Sequence, residues 1–400
     1  MNTTSNRISL AFAQVGHSYT HILMLLYPTV VIALEPELQM SYGELLVLMT
    51  AGNVLFGAAA LPAGWLGDRW STVRMMAVMF VGMGGAAIIT GLVSSPAGIA
   101  IGLALIGLFA AIYHPVGTAW LVRTAENRGR ALGVNGVFGS MGVASAGLLA
   151  GWLSDMVSWR AAFIVPGAVS VITGIALFAF IGRGVVADIE IDARPEPEPR
   201  RDDAIRAFFV MSVTMICAGL IFQSFAVALP KIFAARLPQL TGGSAAGAGT
   251  LVSVVYIGAM GAQFLGGQLA DRYPLRTIYT LIYFVEVPLL LVSASLTGVP
   301  LFAVASTATL LNTLAIPVEN SLMAKYSPGK WRGTAFGAKY VLSIGITALA
   351  VPLVAFIYDT TGDFYWLFIV LALLAGIAAI TALRLPRETR HPAAASVAAD

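Results

Sequence analysis

The sequence predicts an all-α membrane protein with twelve transmembrane helices, arranged as two six-helix bundles related by pseudo-symmetry. Composition is the first observation. Of the 400 residues, 58% are hydrophobic and only 11% are charged, and the mean hydropathy is +0.84. Soluble domains have roughly 45–50% apolar residues. The second observation is an internal repeat, in which motifs of the first half return in the second half at an almost constant offset.

Long apolar runs divide the chain into segments that can cross a hydrocarbon core of about 30 Å as helices. The runs are continuously apolar, whereas strands of a membrane barrel would alternate. We place the helices at residues 8–34, 45–66, 75–93, 99–122, 131–153, 161–181, 207–229, 251–269, 278–296, 299–323, 334–357 and 364–383. Only Arg7 precedes the first run and no cleavage site follows it, so we expect a retained helix rather than a signal peptide.

The predicted domains are an N-terminal bundle (1–183), a linker (184–206), a C-terminal bundle (207–384) and a cytoplasmic tail (385–400). The linker is the one long polar stretch, and its alternating prolines at 195–199 favour an extended spacer. Cys217 is the single cysteine, which excludes an intrachain disulfide.

Basic residues lie on one side of the predicted membrane. If the amino terminus is cytoplasmic, all but four of the 23 lysines and arginines are near that face, the exceptions being Arg160, Lys231, Arg236 and Lys339. The positive-inside rule then predicts a multi-pass protein of the inner (cytoplasmic) membrane with both termini in the cytoplasm. The net charge of +3 is therefore no indication of nucleic-acid binding.

The clearest repeat is a Gly-x-Leu-x-Asp-Arg motif that follows the second helix of each half. It occurs at 64–69, with Arg74 shortly after it, and at 267–272, with Arg276 shortly after it. The acids Asp68 and Asp271 are 203 positions apart. Other pairs lie 204 positions apart, namely Arg128-Gly129 with Arg332-Gly333, Gly133 with Gly337, and Asp155 with Asp359.

Two copies of this motif in register resemble the major facilitator superfamily of secondary transporters. The resemblance implies the major facilitator fold, in which helices 1, 4, 7 and 10 line a central cavity. It also implies a conformational latch, in which Asp68 pairs with basic groups of neighbouring helices in the outward-facing state. The latch residues it suggests are Asp68, Arg69, Arg74, Asp271, Arg272 and Arg276. The alternative is a simple membrane anchor, which explains the arginines but not the repeated acid.

Histidines interrupt two apolar helices of the first half. His17 and His21 share a face of helix 1 because they are four residues apart. In helix 4, Tyr113 and His114 precede a proline that should kink the helix. Ionisable groups at membrane depth are candidates for substrate or proton pathways, and the alternative is a hydrogen bond to a neighbouring helix.

The aromatic-His-Pro sequence and the histidines of helix 1 resemble the fosmidomycin-resistance branch of drug exporters. That branch implies a glutamate after the proline and an acid in helix 1. This chain has Val116 and His21 at the corresponding positions.

Polar residues also occur in the second half, and we predict that they line the same pathway: Gln223, Asn312, Glu319, Asn320 and Lys339. Glu319 and Lys339 suggest a buried ion pair or a shared substrate site. The alternative is that Glu319 is solvated and Lys339 snorkels to the interface. Glu286, on an outer helix, is expected to pack against a polar neighbour.

These features predict a secondary transporter with no catalytic residues, no metal site and no cofactor. We find no nucleotide-binding loop and no Cys/His cluster with zinc spacing. Alternating access would move a small organic molecule, with an anion favoured, and protons would power it because His17, His21, His114 and Glu319 are able to titrate. We expect a monomer in the lipid bilayer.

Three alternatives remain. Efflux is favoured by the resemblance to exporters, but helix 5 has Ala146-Gly147 where exporters usually carry Gly-Pro. Proton-coupled uptake of a small carboxylate is therefore one alternative. A lipid flippase is another, and a membrane-embedded enzyme or receptor is the third.

Overall fold

The computed structural model describes residues 3–125, 128–188, 200–327, 339 and 341–386. Within them the chain forms helices and no strand, and eleven helices plus one bent pair have the length and composition to cross a membrane. We number them α1 (Thr4–Leu38), α2 (Tyr42–Ala58 and Ala60–Arg69), α3 (Thr72–Leu92), α4 (Pro96–Thr124), α5 (Ala131–Met156), α6 (Trp159–Gly182), α7 (Arg201–Arg236), α8 (Ala245–Arg272), α9 (Leu275–Ser293), α10 (Gly298–Tyr326), α11 (Val341–Thr361) and α12 (Tyr365–Ala382).

Three helices of the first half are broken at positions that hydropathy does not indicate. α1 is interrupted at Leu26, just before Pro28, because proline lacks an N–H and clashes with the preceding turn. α2 bends by 41° between its two parts. α4 contains a π-helical turn over Tyr113–Gly117, and such turns are frequent at functional sites.

The two halves repeat the same packing, as the internal repeat predicts. In the first half α1 packs on α5, α2 on α4 and α3 on α6. The second half repeats these pairs as α7 on α11, α8 on α10 and α9 on α12. The halves meet where α5 packs on α8 and α2 packs on α11. All-helical architecture with a two-fold repeat of membrane segments is thus confirmed.

Small residues allow α5 and α8 to approach closely between the halves. Gly147 faces Gly249, and a Cβ added at position 147 would lie 3.1 Å from the Gly249 carbonyl oxygen. The Ser253 hydroxyl donates to the carbonyl of Ala144 at the same crossing. Close backbone approach through glycine and serine is typical of helix pairs in membranes.

One membrane face, which we call the linker face, carries the ends of α2, α6 and α12 and the starts of α1, α3 and α7. Asp188 accepts hydrogen bonds there from the Ser71 hydroxyl at 2.6 Å and the Val73 N–H at 3.1 Å. The beginning of the predicted linker therefore caps α3. The last residues of the predicted linker, 201–206, are helical and form the first turn and a half of α7, which begins at Arg201.

Parts of the predictions fall on residues outside the described ranges. These are the proline run of the linker, the copies Arg332-Gly333 and Gly337 of the repeat, and the predicted tail from residue 387 onward. The predicted boundaries of the two bundles, the linker and the tail stay a prediction.

Candidate functional site

The three membrane-embedded histidines come together between α1 and α4. His17 and His21 lie on one face of α1, and their Nε2 atoms are 3.2 Å apart. The ring of His114 lies 5.6 Å from that of His17 and 5.9 Å from that of His21, centroid to centroid. The Nδ1 atom of His17 is 2.7 Å from the carbonyl oxygen of Asn135 in α5. His17 therefore bonds a neighbouring helix and also joins a polar cluster, and its place in a substrate or proton pathway stays a prediction.

Tyr113 and Asn135 hold this cluster in place. The Tyr113 hydroxyl donates to the side-chain oxygen of Asn135 at 2.7 Å, and its ring stacks on His17 at 4.7 Å and 14°. Gly139 of α5 leaves room for the His17 ring, since a Cβ at position 139 would collide with the imidazole. The group is thus fixed from α1, α4 and α5 together.

The glycine motif of α2 supports the π-helical turn that carries His114. A Cβ at position 64 would lie 3.1 Å from Pro115, and one at position 67 would lie 2.8 Å from Val116. Because no side chain intervenes, α2 and α4 pack in direct contact at this turn. We therefore expect a substitution of Gly67 to disturb the position of the neighbouring His114.

The second half contributes a buried ion pair between Glu319 of α10 and Lys339, which precedes α11. The Lys339 ammonium is 2.9 Å from a Glu319 carboxylate oxygen, and both side chains are 8% exposed. The Tyr279 hydroxyl bonds the other Glu319 oxygen at 2.9 Å and lies 3.1 Å from the Thr214 hydroxyl. Lys339 also donates to the side-chain oxygen of Asn320. Of the two sequence-based interpretations, the structure shows the ion pair.

One member of this ion pair lies near one of the histidines. Lys339 lies within electrostatic range of His114, although the two residues belong to different halves. Gln223 also connects the halves, since its amide donates to the side-chain oxygen of Asn53 at 3.0 Å. Polar groups of both halves therefore meet between them.

Asn312 and Glu286 are buried in the second half, apart from the Glu319 pair. Asn312 is 3% exposed and Glu286 is fully buried. Glu286 lies near Asn312, but neither of its carboxylate oxygens is hydrogen-bonded to a described residue. The expected polar neighbour is therefore present without a hydrogen bond of normal geometry.

Among ion pairs between described residues, Asp68 is the one predicted latch residue that takes part, and its partner lies outside the predicted set. Arg123 of α4 lies 3.1 Å from the Asp68 carboxylate and also donates to Thr72 at 3.2 Å. Arg69 instead lies over the Trp65 ring at 4.3 Å. Arg74, Asp271 and Arg272 are exposed, and Arg276 donates to the Leu383 carbonyl at 2.5 Å.

The membrane face opposite the linker joins the two halves by direct contacts. Asp359 of α11 accepts hydrogen bonds from the Gly43 N–H at 3.0 Å and the Ser41 hydroxyl at 3.1 Å. Asp155 of α5 accepts one from the Ala246 N–H at 2.7 Å. Lys231 pairs with Glu35 on the same face. The halves are thus held together at this face.

Comparison with known proteins identifies the family. The sequence profile of the Major Facilitator Superfamily matches residues 19–236 and 211–399, which together span most of the chain. This chain belongs to the Major Facilitator Superfamily. It is therefore a multi-pass membrane transporter, and superfamily members bind small-molecule substrates and are typically monomeric.

Solved structures of the superfamily share the fold. A bacterial homolog of the human lysosomal transporter Spinster, in an inward-facing and occupied conformation, matches with a TM-score of 0.74 at 13% identity, covering 96% of this chain and 95% of that one. The transporter FucP in an outward conformation matches with a TM-score of 0.64 at 14% identity, covering 96% and 100%.

One curated relative is more similar in sequence over a shorter stretch. The puromycin resistance protein pur8 of Streptomyces alboniger is 30% identical over 201 residues. The match spans 49% of this chain and 36% of that protein.

Sequence reasoning missed the residues that hold the predicted ones in position: Arg123, Asn53, Asn135, Thr214 and Tyr279. Asn53 and Asn135 are polar residues inside otherwise apolar helices, and that signal was available. Arg123 follows the His-Pro pair by about two helical turns, and its position among the basic residues of one face gives no sign of a specific partner.

Proposed function

We propose that this chain is a proton-coupled secondary transporter that carries a small organic anion by alternating access. The observation that carries the proposal is the buried Glu319–Lys339 pair, which lies within electrostatic range of His114 on the other half. Removing one member of such a pair from its partner leaves an uncompensated buried charge. Protonation of Glu319 would therefore favour binding of a substrate anion by Lys339.

The other predicted pathway residues suit recognition of the rest of the substrate. Gln223 and Asn320 already bond polar groups through their amides, and Asn312 has an amide nitrogen without a partner among the described residues. Charge-assisted hydrogen bonds to a carboxylate or phosphonate are stronger than neutral ones. Lys339 would bind the anionic group, and the amides and histidines would orient the remainder.

Alternating access would open and close the two membrane faces in turn. We infer from the distribution of basic residues that the linker face is cytoplasmic and that the membrane is the inner membrane. The contacts of Asp155 and Asp359 would then close the external face. The Asp68–Arg123 pair at the cytoplasmic face would act as the predicted latch, with Asp271 as its counterpart in the second half.

Efflux is the direction we favour. The likeness to a puromycin resistance protein supports export, as does the resemblance of the Tyr113-His114-Pro115 sequence to the fosmidomycin-resistance branch, which stays a prediction. Uptake of a small carboxylate is the second candidate. It is favoured by α5, in which Gly147 packs against Gly249 in place of the Gly-Pro pair that is usual in exporters.

Purified protein in liposomes tests the proposal. Vesicles loaded at one pH and diluted into another are challenged with organic anions, amino acids and amphiphilic drugs. We expect one class of anion to move without chemical change and to move faster when a pH gradient is imposed. Chemical conversion of the compound without its movement would contradict transport, and movement of neutral or cationic drugs alone would contradict the anion preference.

A further inference from the structure

We propose that His17, His21 and His114 form a binding site for one divalent transition-metal ion. One ligand nitrogen of each imidazole lies within 4.8 Å of the others. Neutral imidazole suits zinc, copper, nickel and related ions. Sequence spacing alone does not indicate such a site, because its ligands come from two helices almost one hundred positions apart.

The distance between the two α1 histidines matches the ligand spacing around an ion. Two nitrogens that bind a tetrahedral zinc ion at about 2.0–2.1 Å each lie about 3.3 Å from one another. The Nε2 atoms of His17 and His21 are 3.2 Å apart. The i, i+4 spacing on one helix face therefore already sets two ligands at the required separation.

The surroundings of His17 favour the imidazole tautomer that can bind a metal through Nε2. Its Nδ1 lies 2.7 Å from the Asn135 carbonyl oxygen, which can only accept a hydrogen bond, so Nδ1 carries the proton. The lone pair is then on Nε2, the atom that faces His21. A backbone carbonyl bonded to the far nitrogen is the usual partner of a metal-binding histidine.

His114 supplies the third ligand from a turn that can adjust. It lies in the π-helical turn Tyr113–Gly117, and one of its ring nitrogens already lies within 4.8 Å of a ligand nitrogen of each α1 histidine. Three protein ligands leave a fourth position for water or a small-molecule donor. Lys339 lies near His114, and its charge is compensated by Glu319.

The metal site can be tested separately from the proposed transport mechanism. The proposed proton carrier is Glu319 in the other half, whereas the histidines are proposed there only to orient the substrate. Metal binding can be measured with no substrate and no gradient. Failure of either proposal therefore leaves the other standing.

The test is a titration of full-length protein, purified in detergent through a tag without histidine, with Co²⁺ and then with Zn²⁺ as competitor. We expect one ion per chain and the intense visible absorption of tetrahedral cobalt, lost on addition of zinc. His17→Ala, His21→Ala and His114→Ala should each weaken binding at least about tenfold, since loss of a group that merely supports a ligand already costs about 10–100-fold.

His391→Ala is the matched control, because His391 is the fourth histidine of the chain and lies outside the described residues. It should bind cobalt as the parent protein does. Thermal unfolding and a monodisperse elution profile check that each variant is folded. The proposal is overturned if the parent protein binds no ion, if binding survives removal of all three histidines, or if His391→Ala abolishes it.

Discussion

Asp359 accepts a hydrogen bond from the backbone N–H of Gly43 at 3.0 Å, so the last turn of α11 caps the first turn of α2 in the other half. The repeat reproduces this contact. Asp155, 204 positions before Asp359, accepts from the N–H of Ala246 at 2.7 Å, which joins α5 to α8. A carboxylate at a helix N-terminus satisfies an unpaired donor and complements the helix dipole.

Asp359→Asn should weaken the contact between the two halves at the membrane face opposite the linker. Loss of the charge costs about 1 kcal/mol at a helix N-terminus, which changes the ratio of closed to open states roughly five-fold. The measurement is labelling by a membrane-impermeant maleimide of Thr29→Cys in a Cys217→Ser background. Thr29 is 1% exposed and packs against Gly249 across the halves, so its labelling rate should rise several-fold.

Asp363→Asn is the control for that experiment. Asp363 lies near the same face but pairs with Arg236 of its own half, at 2.6 Å. Its loss should leave labelling at position 29 unchanged. Equal labelling of both variants at the parental rate would show that the Asp359 contact does not hold the face closed.

Gly67→Ala should destabilise the protein by about 1–3 kcal/mol, because overpacking strains a tight contact. The added methyl would lie 2.8 Å from Val116. Thermal unfolding in detergent measures the loss, and Val116→Ala in the same chain should restore part of it. Gly267→Ala serves as control, since no atom of a described residue lies within 4 Å of its added Cβ. If Gly267→Ala lowers the stability as much as Gly67→Ala does, tight helix packing is not the cause of the loss.

Asp68→Asn should slow transport while leaving stability almost unchanged. Asp68 is 67% exposed, and exposed ion pairs contribute about 0.2–1 kcal/mol. Transport in liposomes and thermal unfolding are measured together. Exchanging the charges, as Asp68→Arg with Arg123→Asp, should recover transport. Asp202→Asn, an exposed acid at the start of α7, should have no effect. A full transport rate for Asp68→Asn would rule out the latch.

The sequence predicted the membrane class and the two-fold repeat because each depends on local composition or on spacing. Hydropathy shows which residues enter the membrane. His17 and His21 share a face through helical geometry alone, and Asp155 and Asp359 are related by the repeat. None of these inferences needs knowledge of how one helix is rotated against another.

The partners of those residues could not be predicted, because they depend on how one helix is rotated against another. Asn135 meets His17, and Tyr279 meets Glu319, only because α5 and α9 present particular faces to their neighbours. The π-helical turn at His114 depends on how Pro115 is accommodated against Gly64. Rotation and register between helices arise from packing over the whole bundle, which composition does not encode.

Lys339→Met should destabilise the protein by about 3 kcal/mol, because it leaves the Glu319 carboxylate buried without its partner. Adding Glu319→Gln should recover much of that loss, since no buried charge remains. Thermal unfolding of both single variants and the double variant gives the coupling between the two positions. Strictly additive losses would mean that the two side chains do not interact.

The measurement that tests the central claim most directly is substrate-driven proton flux in liposomes that contain either the parent protein or Glu319→Gln. A pH-sensitive dye inside the vesicles reports the protons, and a labelled substrate reports transport. We predict that the parent protein moves protons with substrate, whereas Glu319→Gln exchanges substrate across the membrane without moving protons. Coupled proton flux that persists undiminished in Glu319→Gln would contradict the account.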